Sequence, residues 1–177
     1  MRRVLDWLYA AAGVAAAFFI FAVFVVMIGA SVMRELGLAT GGSDDVVSWL
    51  CAAAGFFGMA HTFKRGDFVR VTLFIESLGA RARRSLEIAC LCIGSAFAAF
   101  LFWAALRFVY ESWAFGDMAN GLVAIRLWIP QSSFVAGAAL LLVAVIDELV
   151  LVLRGHRPSY VTALEERHAR GDFTEDM

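Results

Sequence analysis

Residues 8–33 of this sequence run for 26 positions without one Asp, Glu, Lys or Arg. As a helix rising ~1.5 Å per residue, such a run outlasts a hydrocarbon core ~30 Å thick, which takes about 20 apolar residues to cross. It is also too long for a signal-peptide core of about 7–15 residues, and no small-residue cleavage site follows it. It therefore reads as a retained membrane span. Apolar runs recur at 46–63, 86–108 and 129–153, the third expected to continue as helix to Trp113. The fold class expected is an all-α integral membrane protein with four transmembrane helices over residues 1–155, followed by a polar tail, 156–177. Composition agrees, with 62% hydrophobic and 18% charged residues where soluble domains carry roughly half and a quarter.

Local signals refine the spans. Trp7 and Tyr9 suit the interfacial aromatic belt of the first. Ala15, Ala22 and Gly29, and again Cys90, Gly94 and Ala98, form small-residue stripes suited to close helix packing. Ser43 or Asp44 is placed to cap the second span, and Pro130 suits the first turn of the fourth, where its missing amide is harmless. Val161 to Arg170 reads as one short helical piece in the tail. Cys51, Cys90 and Cys92 all fall in apolar segments and read as packing residues rather than a disulfide framework. His61 reads as an interfacial histidine beside Lys64 and Arg65.

Charge sets the topology. The net charge of −1 hides an asymmetric distribution of the fifteen basic residues. Two precede the first span, one lies in the first loop, six in the second, two in the third and four in the tail. Twelve on one side against three on the other places both termini and the second loop in the cytoplasm, by the positive-inside rule.

The second loop, residues 64–84, is one-sided. Phe68, Val71, Ile75, Leu78 and Ala82 recur every three or four residues, with Arg70, Glu76, Arg81 and Arg84 in polar company. Too short to cross, this stretch predicts an amphipathic helix over about 67–82 lying on the cytoplasmic surface. Each arginine near anionic lipid contributes about 1 kcal/mol.

Asp147 and Glu148 are the only carboxylates well inside an apolar run, and intramembrane acids are candidates for function. Two turns from the end of their span, they are placed to reach interfacial water, to pair with Arg81, Arg83 or Arg84, or to meet a partner subunit. Phe68, Arg70, Val71, Ile75, Arg81, Arg84, Asp147 and Glu148 are thus the candidate membrane-anchor and partner-contact residues. No phosphate-binding loop, metal-ligand spacing, paired span histidines or nucleophile with a base appears, so no catalytic site, cofactor or metal is expected.

The order of parts resembles the small membrane subunit (DctQ-like) of the tripartite ATP-independent periplasmic (TRAP) transporters, over roughly residues 5–155. Residues 58–71 carry most of it: a small-rich span end, then Lys64, Gly66 and Phe68-Val69-Arg70-Val71. Thr72 stands where an acidic residue is common in that family. Ile129-Pro130 followed by Gly137 also fits. The resemblance implies a non-catalytic scaffold in a bacterial inner membrane, working with a large multi-span subunit and a periplasmic substrate-binding protein. It also implies sodium-coupled uptake of an organic acid such as a dicarboxylate or sugar acid, with sodium held by the large subunit. Two other readings remain open from the residues: a self-assembling four-span channel or small exporter lined by Asp147 and Glu148, and a haem- or quinone-binding oxidoreductase subunit, which the unpaired span histidine disfavours.

Overall fold

The computed structural model describes residues 2–65, 79–119, 124–156, 158, 159, 161 and 162. Four helices dominate them: α1, Arg2–Glu35; α2, Ser43–Arg65; α3, Ala80–Phe115; and α4, Trp128–Leu153. Each is long and apolar enough to cross a membrane. The first three also outrun the apolar stretches that predicted them, because flanking charged residues continue the helix into the interface, whereas α4 gains only Trp128. At 34 and 36 residues, α1 and α3 are about 51 and 54 Å long.

In space the helices follow the order α1–α2–α4–α3, through the pairings α1 with α2, α2 with α4, and α4 with α3. The two inner helices meet closely. A Cβ on Gly137 of α4 would stand 2.6 Å from the Phe56 backbone of α2, so the contact requires glycine. Beside it the Phe56 and Phe134 rings stack with centroids 5.2 Å apart. On the other side of α4, Leu141, Val145 and Val152 pack with Leu91 and Ala98 of α3. Tyr9, Ala60 and Ala144 join α1, α2 and α4.

The outer helices turn apolar residues outward. Phe18, Phe21 and Phe24 of α1, and Ile93, Phe97 and Phe100 of α3, are each at least 60% exposed. In water such faces would drive aggregation, but lipid tails are as apolar as the side chains, and the helices satisfy their own backbone groups.

The small-residue stripes sit differently from expectation. On α1 the packed positions are Ala12, Gly13 and Ala16, while Gly29 is exposed with nothing near its Cα. On α3 Leu91, not Cys90, shares the buried face with Gly94 and Ala98, and all three cysteines are exposed. On α1 the packed face is turned away from Gly29, whereas on α3 Gly94 and Ala98 do meet α4 and only Cys90 turns away.

Glycines shape the turns. Gly37, at φ +72°, ends α1 with bonds from Gly37 N–H to the Arg34 carbonyl and from Leu38 N–H to that of Met33, satisfying orphan carbonyls of the last turn. Gly116, at φ +69°, ends α3, and the Asp117 amide donates to the Ser112 carbonyl at 3.0 Å. Between α3 and α4, Met118 and Arg126 form an antiparallel bridge. Pro130 does occupy the first turn of α4. Ser43 begins α2, but its hydroxyl donates back to the Thr40 carbonyl at 2.8 Å rather than forward into the helix.

The expected surface helix, about 67–82, is altered at its end. Gly79 is extended at φ −60°, ψ 153°, and α3 starts at Ala80. Arg81 and Ala82 thus belong to the first turn of a spanning helix. Residues 67–78 lie outside the described residues, as does most of the expected tail helix.

Candidate functional site

Lys64 leaves α2 one residue before its end and reaches α4. Its Nζ donates to Asp147 Oδ2 at 2.6 Å and to Glu148 Oε1 at 2.7 Å. The helical continuation of α2 to Arg65 makes this possible, because it points Lys64 into the α2–α4 seam instead of leaving it in a loop. The ammonium also lies 5.2 Å from the centroid of the Tyr9 ring of α1, within range of a cation–π contact. Three helices therefore meet around one cation.

Glu148 is fully buried. Its second oxygen accepts the Ser159 backbone N–H at 3.0 Å, and the Ser159 hydroxyl donates to Oε1 beside Lys64. Ser159 belongs to a turn after α4, in which the amides of Val161 and Thr162 both point to the Pro158 carbonyl. The free first-turn amide of that turn finds a carboxylate, a favourable terminus for negative charge. Asp147, a quarter exposed, faces outward from the same cation. A buried carboxylate is tolerated when it is paired and its lone pairs are satisfied, and Glu148 meets both conditions.

His61, one turn before Lys64, does more than mark an interface. Its Nδ1 donates to the Tyr9 carbonyl across the α1–α2 seam at 3.0 Å. The carbonyl only accepts, so it selects the tautomer with hydrogen on Nδ1. The ring lies directly on Gly13, where an added Cβ would come within 2.7 Å of Nδ1.

The structure corrects the expected partners of the acids. Asp147 and Glu148 pair with Lys64, and neither Arg83 nor Arg84 reaches them. Arg83 pairs with Glu87 in its own helix at 3.3 Å, and Arg84 is exposed, with its guanidinium near Gly155. The arginines start α3, which pairs mainly with α4 and not with α2. Phe68, Arg70, Val71 and Ile75 lie outside the described residues, and of Arg81 only its place in α3 is described. Lys64, Tyr9, His61 and Ser159 are the residues that sequence reasoning missed. One signal was available, since Lys64 is the only lysine among the fifteen basic residues. A single flexible ammonium near two intramembrane acids is their natural counter-ion.

Chemically, the cluster binds helices to one another and to the tail. Among the described residues no group of three or more His, Cys, Asp or Glu is placed to hold a metal ion.

Four membrane-crossing helices cross-linked by an internal ion pair define a multi-pass helical membrane protein. Residues 23–155 match the family model described as tripartite ATP-independent periplasmic transporters, DctQ component, and the chain belongs to that family, the small membrane component of TRAP transporters. It is thus a transport protein of the inner membrane. A comparison with curated proteins gives no match.

Proposed function

We propose that this chain is the non-catalytic scaffold subunit of a sodium-coupled TRAP transporter that imports an organic acid, such as a dicarboxylate or sugar acid. In this reading it pairs with a large membrane subunit that binds sodium and substrate, and a periplasmic protein delivers the substrate. The observation that carries it is the state of the membrane acids. Lys64 and Ser159 already engage Glu148, which is sealed from solvent. A transport pathway of the chain's own needs polar groups open to water, so this speaks against a channel lined by Asp147 and Glu148. The apolar outer faces of α1 and α3 suit helix packing against a larger partner as well as lipid.

Both termini lie in the cytoplasm, as the twelve-to-three distribution of basic residues favours. Residues 67–78 form an amphipathic surface segment that leads into α3 and anchors the bundle on that side.

The test is reconstitution. The chain alone in liposomes moves no organic acid, whereas the chain co-expressed with the large multi-span subunit co-purifies with it and supports uptake once binding protein and a sodium gradient are supplied. Sodium-driven uptake by this chain alone would overturn the proposal.

A further inference from the structure

At the end of the bundle where α3 ends and α4 begins, an open groove of about 540 Å³ runs between the two helices. Trp103, Leu106, Arg107, Tyr110 and Trp113 line one wall, and Trp128 contributes to the other. Its depth in the membrane follows from the sequence of α3. Between Glu87 and Arg107 stand 19 uncharged residues, which span ~28 Å as helix, about one hydrocarbon thickness. Arg107 therefore stands at the headgroup boundary. Trp103 sits a turn deeper, while Tyr110 and Trp113 sit at or beyond the interface, where amphipathic rings are favoured.

Two polar features mark this groove as more than a greasy furrow. Arg107 Nε donates to Glu111 Oε1 at 2.7 Å, and both side chains remain well exposed, at 63% and 47%. This leaves the two terminal nitrogens of Arg107 without a partner among the described residues. The guanidinium carbon lies 5.7 Å from the Trp103 ring centroid, so the ring braces the cation at the mouth of an apolar slot. A cation with an anion beside it thus stands at the edge of a slot shaped for hydrocarbon.

We propose that the groove binds one zwitterionic phospholipid of the phosphoethanolamine type from the leaflet at that end of the bundle. Its phosphate sits on the free nitrogens of Arg107. Its ammonium faces Glu111, and an acyl chain lies along Leu106 and Trp103 toward the bilayer centre. Charge complementarity selects this occupant. A lipid with an anionic glycerol headgroup satisfies Arg107 but brings no cation to the second carboxylate oxygen of Glu111, whose first is held by Arg107. A purely apolar partner helix leaves both charges without new partners. The proposal does not rest on the transporter assignment.

The experiment uses the full chain with Trp7 and Trp49 replaced by Phe, so that only the groove tryptophans report. It is reconstituted in phosphatidylglycerol nanodiscs containing increasing fractions of brominated phosphatidylethanolamine, and tryptophan quenching is followed. Saturation is expected at a small mole fraction of brominated lipid, with Arg107→Gln shifting the midpoint roughly tenfold, as loss of one charge-assisted contact predicts. Gel filtration of the variant confirms that the exposed substitution leaves the fold intact. Quenching that simply tracks the mole fraction of brominated lipid, or a saturating curve indifferent to Arg107→Gln, would overturn the proposal. The same titration on the complex with the large membrane subunit separates lipid from protein as occupant: persistence of saturable quenching supports the lipid, and its loss shows that a partner helix fills the groove.

Discussion

Lys64 and Glu148 are 84 positions apart in sequence, yet their charged groups meet at 2.7 Å with Glu148 fully enclosed. This pair closes the α2–α4 seam at the end of the bundle where α1 begins and α4 ends. Because Asp147 shares the same ammonium, loss of the lysine would leave two neighbouring carboxylates without their cation.

Lys64→Met is accordingly expected to cost about 3–5 kcal/mol, the usual penalty for stranding a buried charge. Glu148→Gln alone should also destabilise, but the double variant should lose less than the two single losses combined. Thermal unfolding of the detergent-solubilised chain, followed as a double-mutant cycle, reads this coupling. Additive losses would mean that the pair does not hold the seam. Asp147→Asn should be the mildest of the set, since Asp147 is partly open to solvent and Glu148 retains the ammonium.

The tail depends on the same carboxylate. Ser159→Ala removes the hydroxyl donor to Glu148 and leaves its backbone donor in place, for a predicted loss of about 1 kcal/mol. Hydrogen–deuterium exchange at residues 158–162 should accelerate, with little change in the core of α2. Unchanged exchange there would show that the turn is held by something other than Glu148.

Helix contact at Gly137 should be the least forgiving position in the bundle. Even an alanine methyl group meets the Phe56 backbone, and backbone cannot step aside as a flexible side chain can. Gly137→Ala is expected to destabilise by about 1–3 kcal/mol, the range for overpacking, whereas Gly29→Ala, with open space around it, should be neutral or slightly stabilising. Yield of folded monomer after heating compares the two directly.

For the surface segment proposed at residues 67–78, replacement of Phe68, Val71 and Ile75 together by Ser should reduce recovery of the complex with the large subunit. Reporter fusions should still place both termini in the cytoplasm, because the arginine count that sets topology is untouched. Normal recovery of the complex and normal uptake would remove the anchoring role.

Much of this architecture was legible from residues alone. Uninterrupted apolar length located four helices, since a bilayer demands about 20 residues per crossing whatever their neighbours. Pro130 marked the start of α4, and the lysine and arginine distribution supplied the proposed orientation. Asp147 and Glu148 stood out because ionised groups are expensive at membrane depth.

Which face of each helix meets another was decided only in the folded molecule. In water, apolar periodicity separates inside from outside, but lipid is as apolar as leucine, so Phe97 facing outward and Leu141 facing inward look alike in sequence. That is why the stripes shifted from Gly29 and Cys90 to Ala12, Gly13 and Leu91, and why the order α1–α2–α4–α3 could not be read in advance. The same holds for the acids. Sequence required a cation for Glu148 and offered several arginines nearby, but the close pairing of α2 with α4 gave it Lys64.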